Sequence, residues 1–386
     1  MATLFFIVFV DLVGFGMIIP VLPFYAERLG TSSSMVIFLF GLYSLGQLFG
    51  APLWGALSDR IGRRPVLLAT LAANAGANVL LALASSSWEL GASRLVSGLA
   101  AGNISAAYAY LTDITSDADR PKALGMLGAA FGLGFILGPA LGGILAGGDD
   151  GGSNLAVVAY AAAALSAVAF FATLFFLKES HGPEHRAAVK ALPRQPQWAV
   201  ASRPVLRELL VSTMLVTGAV SMLQSTYAIF STEILSLLPR KLGYMYAFVG
   251  VISVAVQLGA IAPLSRRFGS LALARTGGML LAVALAIMPL TSNANVTLLP
   301  LAIFGAAGAL FTPSISTLIT QTAAASERGA VMGVFQGASS LGRVIGPMMA
   351  SGIAGLAGLR LPFYCGALFS LGGALLIKRR GAAVAE

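Results

Sequence analysis

Asp11 lies inside an apolar stretch, VDLVGFGMIIPVLP at residues 10–23, and no other acidic residue falls well inside an apolar run. At 1.5 Å of rise per residue it sits about 10–13 Å into a membrane-spanning helix. A carboxylate is expensive to keep charged there, which makes Asp11 the candidate proton carrier. The plainer alternative is a packing residue near the cytoplasmic end of a cavity. Arg94 opens RLVSGLAAG in another apolar run and needs a partner or a wet cavity. Counted from the cytoplasmic side, Asp11 is about 13 Å deep and Arg94 about 28 Å, so no direct bridge is expected. Arg94 is expected instead to bind carbonyls near Gly16, or to act on Asp11 through water, so that the two form a proton-coupling pair. Arg343 is a second intramembrane arginine. Its reading stays open between binding substrate, holding the halves together and snorkelling.

Residues 55–64 read GALSDRIGRR, a short charged loop between two long apolar stretches. Charges this dense mark a membrane–water boundary. The spacing of Gly55, Asp59, Arg60, Gly62, Arg63 and Arg64 suggests an ion-pair latch whose contacts change between two states. A solvated loop that only fixes topology is the alternative. Asp113, in LTDIT at the end of the fourth helix, is the acid expected to face Arg63. In GLGFILGPALGG (132–143), Gly134, Gly138 and Gly142 leave one helix face nearly bare and Pro139 adds a bend. That face lets a neighbouring helix approach closely. It is expected to act as a hinge between two halves, with ordinary tight packing as the alternative.

Weaker signals come from Phe15, Gln47, Asn103, Tyr108, Gln224, Tyr227, Gln321 and Gln336, all within helices. With Arg343 they are candidate lining for an apolar cavity with few polar anchors. Each taken alone also fits helix–helix packing. Enzymatic chemistry finds no support. There is no Gly-rich phosphate loop with lysine, and no Ser/His/Asp or Cys/His set. Cys365 is the sole cysteine. His181 and His185 stand four apart, but Gly182 and Pro183 between them break the helix that such a metal pair needs. No metal, cofactor or nucleic acid is expected, and the energy source is expected to be a proton gradient.

These residues require a frame that crosses lipid. Of 386 residues, 57% are hydrophobic and 10% charged, against about 25% charged in soluble domains. Twelve spans of roughly 20 residues are expected at 3–26, 35–57, 66–87, 90–114, 122–146, 155–177, 205–230, 239–264, 273–292, 296–321, 330–355 and 359–378. Residues 1–26 lack a charged leader region, so they read as a first span and not as a signal peptide. Eighteen Lys and Arg fall in one set of connecting segments and four in the other, which puts both termini in the cytoplasm. The expected organisation is a six-helix half at 1–177, a polar linker at 178–204 and a second half at 205–386. The halves read as a duplication. Shifting the chain by 208 residues puts Asp119-Arg120 on Glu327-Arg328, Gly134 on Gly342, and Gly138-Pro139 on Gly346-Pro347. APLSRRFGS (262–270) is a decayed copy of the charged segment, with Arg266 in place of Asp59.

VDLVGFGMIIPVLP, APLWGALSDRIGRRPVLL, AYLTDITSDADR, FGLGFILGPALGG and LKESH together resemble the drug/proton antiporters of the major facilitator superfamily, and among them the tetracycline efflux proteins of Gram-negative bacteria. The resemblance covers nearly the whole chain. It implies an all-α membrane fold of two pseudo-symmetric six-helix halves with substrate near the midplane between them. It also implies that Asp11, Arg63, Arg64, Arg94 and Asp113 matter for transport. The chain departs from that group at two intramembrane aspartates. It has Ala77-Asn78 in the third helix and LLAVALAIMP (280–289) in the ninth. That points away from a metal–tetracycline chelate and toward another hydrophobic or zwitterionic compound. The expected protein is a monomeric bacterial inner-membrane exporter of small amphipathic compounds, exchanging them for protons. The rivals are an importer or facilitator of sugars or organic acids, and a non-transporting sensor or scaffold.

Overall fold

A chain in hydrocarbon has no water to satisfy its peptide groups, so each apolar run must close its hydrogen bonds within itself as a helix. The computed structural model describes residues 1–101, 103–115, 120–147, 155–180, 203–322 and 328–377, and among them there is no strand. His181, His185, Asp119, Glu327 and most of the 178–204 linker lie outside the described residues. The first span is α1 (Ala2–Ile18) and α2 (Leu22–Arg28), bent by 42°. Pro20, which has no amide to give to the ladder, lies in the break. Next come α3 (Ser33–Ile61), α4 (Arg63–Leu83), α5 (Ser87–Ala100), α6 (Asn103–Ile114), α7 (Arg120–Leu145) and α8 (Leu155–Phe176). The remainder is α9 (Pro204–Glu233), α10 (Pro239–Ala255), a π turn at Val256–Ala260, α11 (Ile261–Ile287), a 3-10 turn at Met288–Leu290, α12 (Ala294–Gln321), α13 (Arg328–Ala357) and α14 (Leu361–Leu376). Gly269 breaks α11, so its first turns complete the eighth span and the rest forms the ninth. With α5 and α6 as the two pieces of the fourth, the described helices make twelve spans.

Two local expectations change. The fourth span is not a continuous helix over 90–114. Helix α5 opens on a capping box, in which Ser86 Oγ accepts from Glu89 N. Ser85 donates to the Glu89 carboxylate through its N–H and its hydroxyl, which holds that carboxyl below its ordinary range. Helix α5 then closes at Ala101, whose N–H tightens onto the Ser97 and Gly98 carbonyls, and the described residues of α6 run from Asn103. The charged segment 55–64 is likewise not a loop. Helix α3 runs 29 residues to Ile61, about 43 Å. That exceeds a hydrocarbon core of about 30 Å, so its last turns have length to spare for charges. Gly55, Asp59 and Arg60 are therefore helical, and the turn is Gly62 alone, at φ 109° and ψ 163°. A side chain rarely tolerates that backbone, and glycine does.

Gly269 occupies the same conformation, φ 78° and ψ 160°, at the matching point of APLSRRFGS. The turn geometry of the duplicated segment has thus survived the loss of its aspartate. The small-residue contacts repeat as well. A β-carbon on Gly138 would stand 2.7 Å from the Val13 carbonyl oxygen of α1, and one on Gly346 would stand 2.4 Å from the Gly218 carbonyl oxygen of α9. In each case the fifth helix of six lies backbone to backbone on the first.

The chain divides into two compact units. One comprises Met1–Ser32, Leu42–Pro193 and Leu237–Gly250, and the other Ser33–Gly41, Arg194–Ser236 and Val251–Glu386. In the first, α1 packs on α7 and α8, and α4 packs on α8, α5 and α6. In the second, α9 packs on α13 and α14, and α11 on α12 and α14. Large apolar side chains such as Phe175, Leu258 and Leu368 are exposed. An outward apolar surface of this kind suits lipid as the surrounding solvent.

Candidate functional site

Helix α1 carries Asp11 into the interior of the first unit, where it is 8% exposed. Three other helices supply its partners. Asn74 of α4 donates Nδ2–H to Asp11 Oδ1 at 2.9 Å and to Ser166 Oγ at 3.2 Å. Ser166 of α8 donates to the same Oδ1 at 3.4 Å. Asn103, the first residue of α6, donates Nδ2–H to Oδ2 at 2.6 Å. Below this polar cluster, Ile7, Val8, Leu12, Leu67, Leu71 and Ile104 line a small cavity that Asp11 and Asn103 also touch. The ion pairs among the described residues are Arg63 with Asp59 and Arg63 with Asp113, so Asp11 has no cation beside it. Neutral donors replace part of the hydration that a carboxylate loses on burial.

Arg94 is 4% exposed on α5. Its Nη2 reaches Ser97 Oγ at 3.5 Å, and its buried Nε has no hydrogen-bond partner. The expected contact with carbonyls near Gly16 is not made. The space beside Gly16 is filled by Gly134, Gly138 and Pro139 of α7. Tyr43 of α3 is the ionisable side chain that faces Arg94. The Tyr43 ring lies 4.8 Å from that of Phe15, which meets Phe135 edge-on at 6.1 Å. This patch sits where α3 and α5 touch through bare backbone, for a β-carbon on Gly46 would lie 2.4 Å from the Leu95 carbonyl oxygen.

At the α3–α4 turn Arg63 is buried and gathers three acceptors. Its Nη1 donates to Asp59 Oδ1 and to Ser58 Oγ, both at 2.6 Å, and its Nε donates to Asp113 Oδ2 at 3.1 Å. Asp59 stands on the last turn of α3 and pairs one helical turn ahead, within its own unit. Ser180 Oγ also donates to Asp113, at 3.2 Å. Glu179 had no assigned role in the sequence reading. Its two carboxylate oxygens accept the backbone N–H groups of Arg63 (2.9 Å) and Arg64 (3.2 Å), the first residues of α4. A carboxylate there satisfies orphan donors and opposes the helix dipole. The only signal in the sequence was LKESH just after the sixth span. Arg64 Nη2 donates to the Leu174 carbonyl at 2.6 Å, which ties the same turn to the end of α8. Arg60 is exposed.

The glycines of α7 face two ways. Gly134, Gly138 and Gly142 lie against Leu12, Val13, Gly16 and Met17 of α1, while Gly143 meets Pro239 and Gly243 of α10. Among the other candidates, Phe15, Gln47, Gln224 and Arg343 are half-buried, and Arg343 Nη2 donates to Ser340 Oγ at 2.9 Å. Tyr108, Gln321 and Gln336 are exposed. Tyr227 is fully buried in the second unit, so it belongs to the packing and does not line open space. Asn103 gives its Nδ2–H to Asp11 and borders the small cavity there. Asn74 and Ser166 were missed. Single polar residues in apolar helices are common, and nothing in their spacing marks a shared partner.

A family model described as Major Facilitator Superfamily matches residues 4–347 and, overlapping it, 261–383. The tetracycline resistance protein, class G, of Vibrio anguillarum is 30% identical over 89% of this chain and 87% of its own length. The class C protein of Escherichia coli is 28% identical over 89% and 86%. Among solved structures, the human organic anion transporter MFSD10 (TETRAN) superposes with a TM-score of 0.73 at 25% identity, covering 98% of both chains.

Proposed function

This chain belongs to the Major Facilitator Superfamily, and from its membership as a membrane transporter we propose that it exports small amphipathic compounds in exchange for protons, by alternating access. The observation that carries the proposal is the Asp11 carboxylate, buried among neutral donors with no cation beside it among the described residues. A charge so placed is costly unless its protonation is put to use. In this reading Asp11 takes up a proton while the cavity faces outward and releases it inside, and Arg94 biases substrate binding against proton binding. The Arg63 cluster is a latch whose contacts differ between the two states. The membrane is the inner membrane of a bacterium, with both termini cytoplasmic, and the working unit is a monomer.

The relatives at 28% and 30% identity are tetracycline resistance proteins, which supports export. A metal–tetracycline chelate is disfavoured, because Ala77-Asn78 stands where the resemblance implies an intramembrane aspartate. Arg94, buried without an acidic partner, favours substrates that bring a negative group of their own. The organic anion transporter that shares the fold points the same way.

The test uses purified protein in detergent with a pH-reporting dye. Adding a transported compound releases protons from the unaltered chain, and Asp11→Asn releases none. Equal release from both ends the assignment of Asp11. Net uptake into proton-driven inverted vesicles separates export from the importer reading.

A further inference from the structure

We propose that the cluster around Asp11 is also a binding site for a monovalent cation of sodium size, occupied in exclusion of the proton. The inference rests on the reading of Asp11 as the coupling group and extends it to the identity of the coupling ion.

Four residues from four helices carry oxygens here: the Asp11 carboxylate of α1, the Asn74 amide of α4, the Asn103 amide of α6 and the Ser166 hydroxyl of α8. Carboxylate, amide carbonyl and hydroxyl oxygens are the ligands of hard cations. Asp11 Oδ1, Asn74 Nδ2 and Ser166 Oγ form a triangle with edges of 2.9, 3.2 and 3.4 Å. A half-turn of the Asn74 amide puts its oxygen where Nδ2 now stands. Three oxygens at that spacing can share one ion at about 2.4 Å from each, the contact distance of a calcium-sized cation. Sodium has nearly the same ionic radius.

The second observation is Asn103, which is 7% exposed. Its Oδ1 is buried and has no hydrogen-bond partner, while its Nδ2 is given to Asp11 Oδ2. Leaving a buried acceptor unsatisfied costs about 1–3 kcal/mol. The residue lines the small cavity at Asp11. A half-turn of this amide brings its oxygen to Asp11 Oδ2 and adds a ligand from α6, with Nδ2 moving to the place that Oδ1 leaves beside the small cavity.

Charge selects the valence. The helices packed on α1 present neutral groups to the cluster: Asn74 from α4, Asn103 from α6, Ser166 from α8 and the bare glycine face of α7. One carboxylate with neutral partners balances one positive charge. A divalent ion would leave an excess charge buried in the bilayer, which is costly. A proton and a sodium ion neutralise the same carboxylate, so each displaces the other.

Binding of radioactive sodium to purified protein, counted by scintillation proximity with choline holding ionic strength constant, tests the site without any transport. The unaltered chain is expected to bind sodium saturably at alkaline pH and to lose it as the pH falls. Asn103→Leu and Ser166→Ala are each expected to weaken binding by about tenfold or more, as loss of ion-orienting groups does, and Asp11→Asn to abolish it. Should Asp11→Asn fail to elute as a single species, the other two variants and the unaltered chain decide. Absence of saturable binding by the unaltered chain overturns the proposal, and so does binding that survives both variants undiminished. If sodium does not bind but substrate still releases protons, only the sodium site is lost. If neither occurs, the coupling role of Asp11 falls with it.

Discussion

Asn103 Nδ2 lies 2.6 Å from Asp11 Oδ2. The contact joins the first residue of α6 to the middle of α1. Helix α5 ends at Ala100, and Asn103 opens the described residues of α6 beside the acid. Asn103→Leu removes this donor while keeping the side-chain volume near that of the amide. A hydrogen bond to a charged group is worth about 1.5–3 kcal/mol, or about tenfold to a hundredfold in an equilibrium. Uphill extrusion is expected to fall by at least about tenfold, while downhill movement of the same compound persists. Paired uptake assays with and without an imposed pH gradient check this.

Arg63 binds two acids at once, and the contact with Asp113 reaches across 50 residues of sequence. Asp113→Asn weakens one arm of that fork and is expected to destabilise the protein by about 2 kcal/mol. Adding Arg63→Gln to Asp113→Asn is expected to cost less than the two single changes together, because the groups share one interaction. Thermal unfolding of all four forms in one detergent measures the difference. Strict additivity would show that the pair is not coupled.

Glu179 accepts both leading amides of α4 from the segment that follows α8. Glu179→Gln keeps an acceptor but removes the charge, so a loss of about 0.3–1 kcal/mol is expected. Glu179→Ala removes the acceptor as well, and about 1–2 kcal/mol is expected. The order alanine below glutamine below glutamate in melting temperature is the outcome to look for.

Gly142 and Gly76 make a matched pair of opposite prediction. A β-carbon on Gly142 would stand 2.2 Å from the Met17 carbonyl oxygen, whereas one on Gly76 meets nothing within 4 Å. Gly142→Ala is expected to force α7 off α1 and to lower the yield of monodisperse protein sharply. Gly76→Ala is expected to be silent, or to stabilise its helix by up to about 1 kcal/mol. Fluorescence-detected gel filtration of the two variants separates them.

Arg94→Gln removes a buried guanidinium that lacks an acidic partner. Within a series of one aromatic scaffold bearing an anionic, neutral or cationic group, the unaltered chain is expected to extrude the anion best. The variant is expected to lose that preference by about tenfold or more, and Arg94→Lys to keep part of it. Competition for extrusion from whole cells reads the ranking.

Much of the frame is legible in the residues. Hydropathy marks every span, and the repeat of Gly134 and Gly138 at Gly342 and Gly346 shows the duplication. Asp113, at the end of the fourth span, could be placed near Arg63 from membrane depth alone. Depth also separated Arg94 from Asp11. The errors cluster where depth is silent. Sequence patterning read a loop over 55–64 because charges and glycines usually mean one, yet the helix continues to Ile61, where its charged turn pairs with Arg63. It ran one helix through residue 101, because nothing in the hydropathy around it marks a stop.

Which side chains meet Asp11 was decided only by tertiary structure. Asn74, Asn103 and Ser166 are 63, 92 and 155 residues away in sequence. Composition forces a segment into lipid and sets how deep each residue lies. A helix that is apolar all round, however, has no preferred face. Its rotation about its own axis is set by where another backbone can come close, as α1 does against the glycines of α7. That rotation turns an isolated acid and three scattered polar residues into one site.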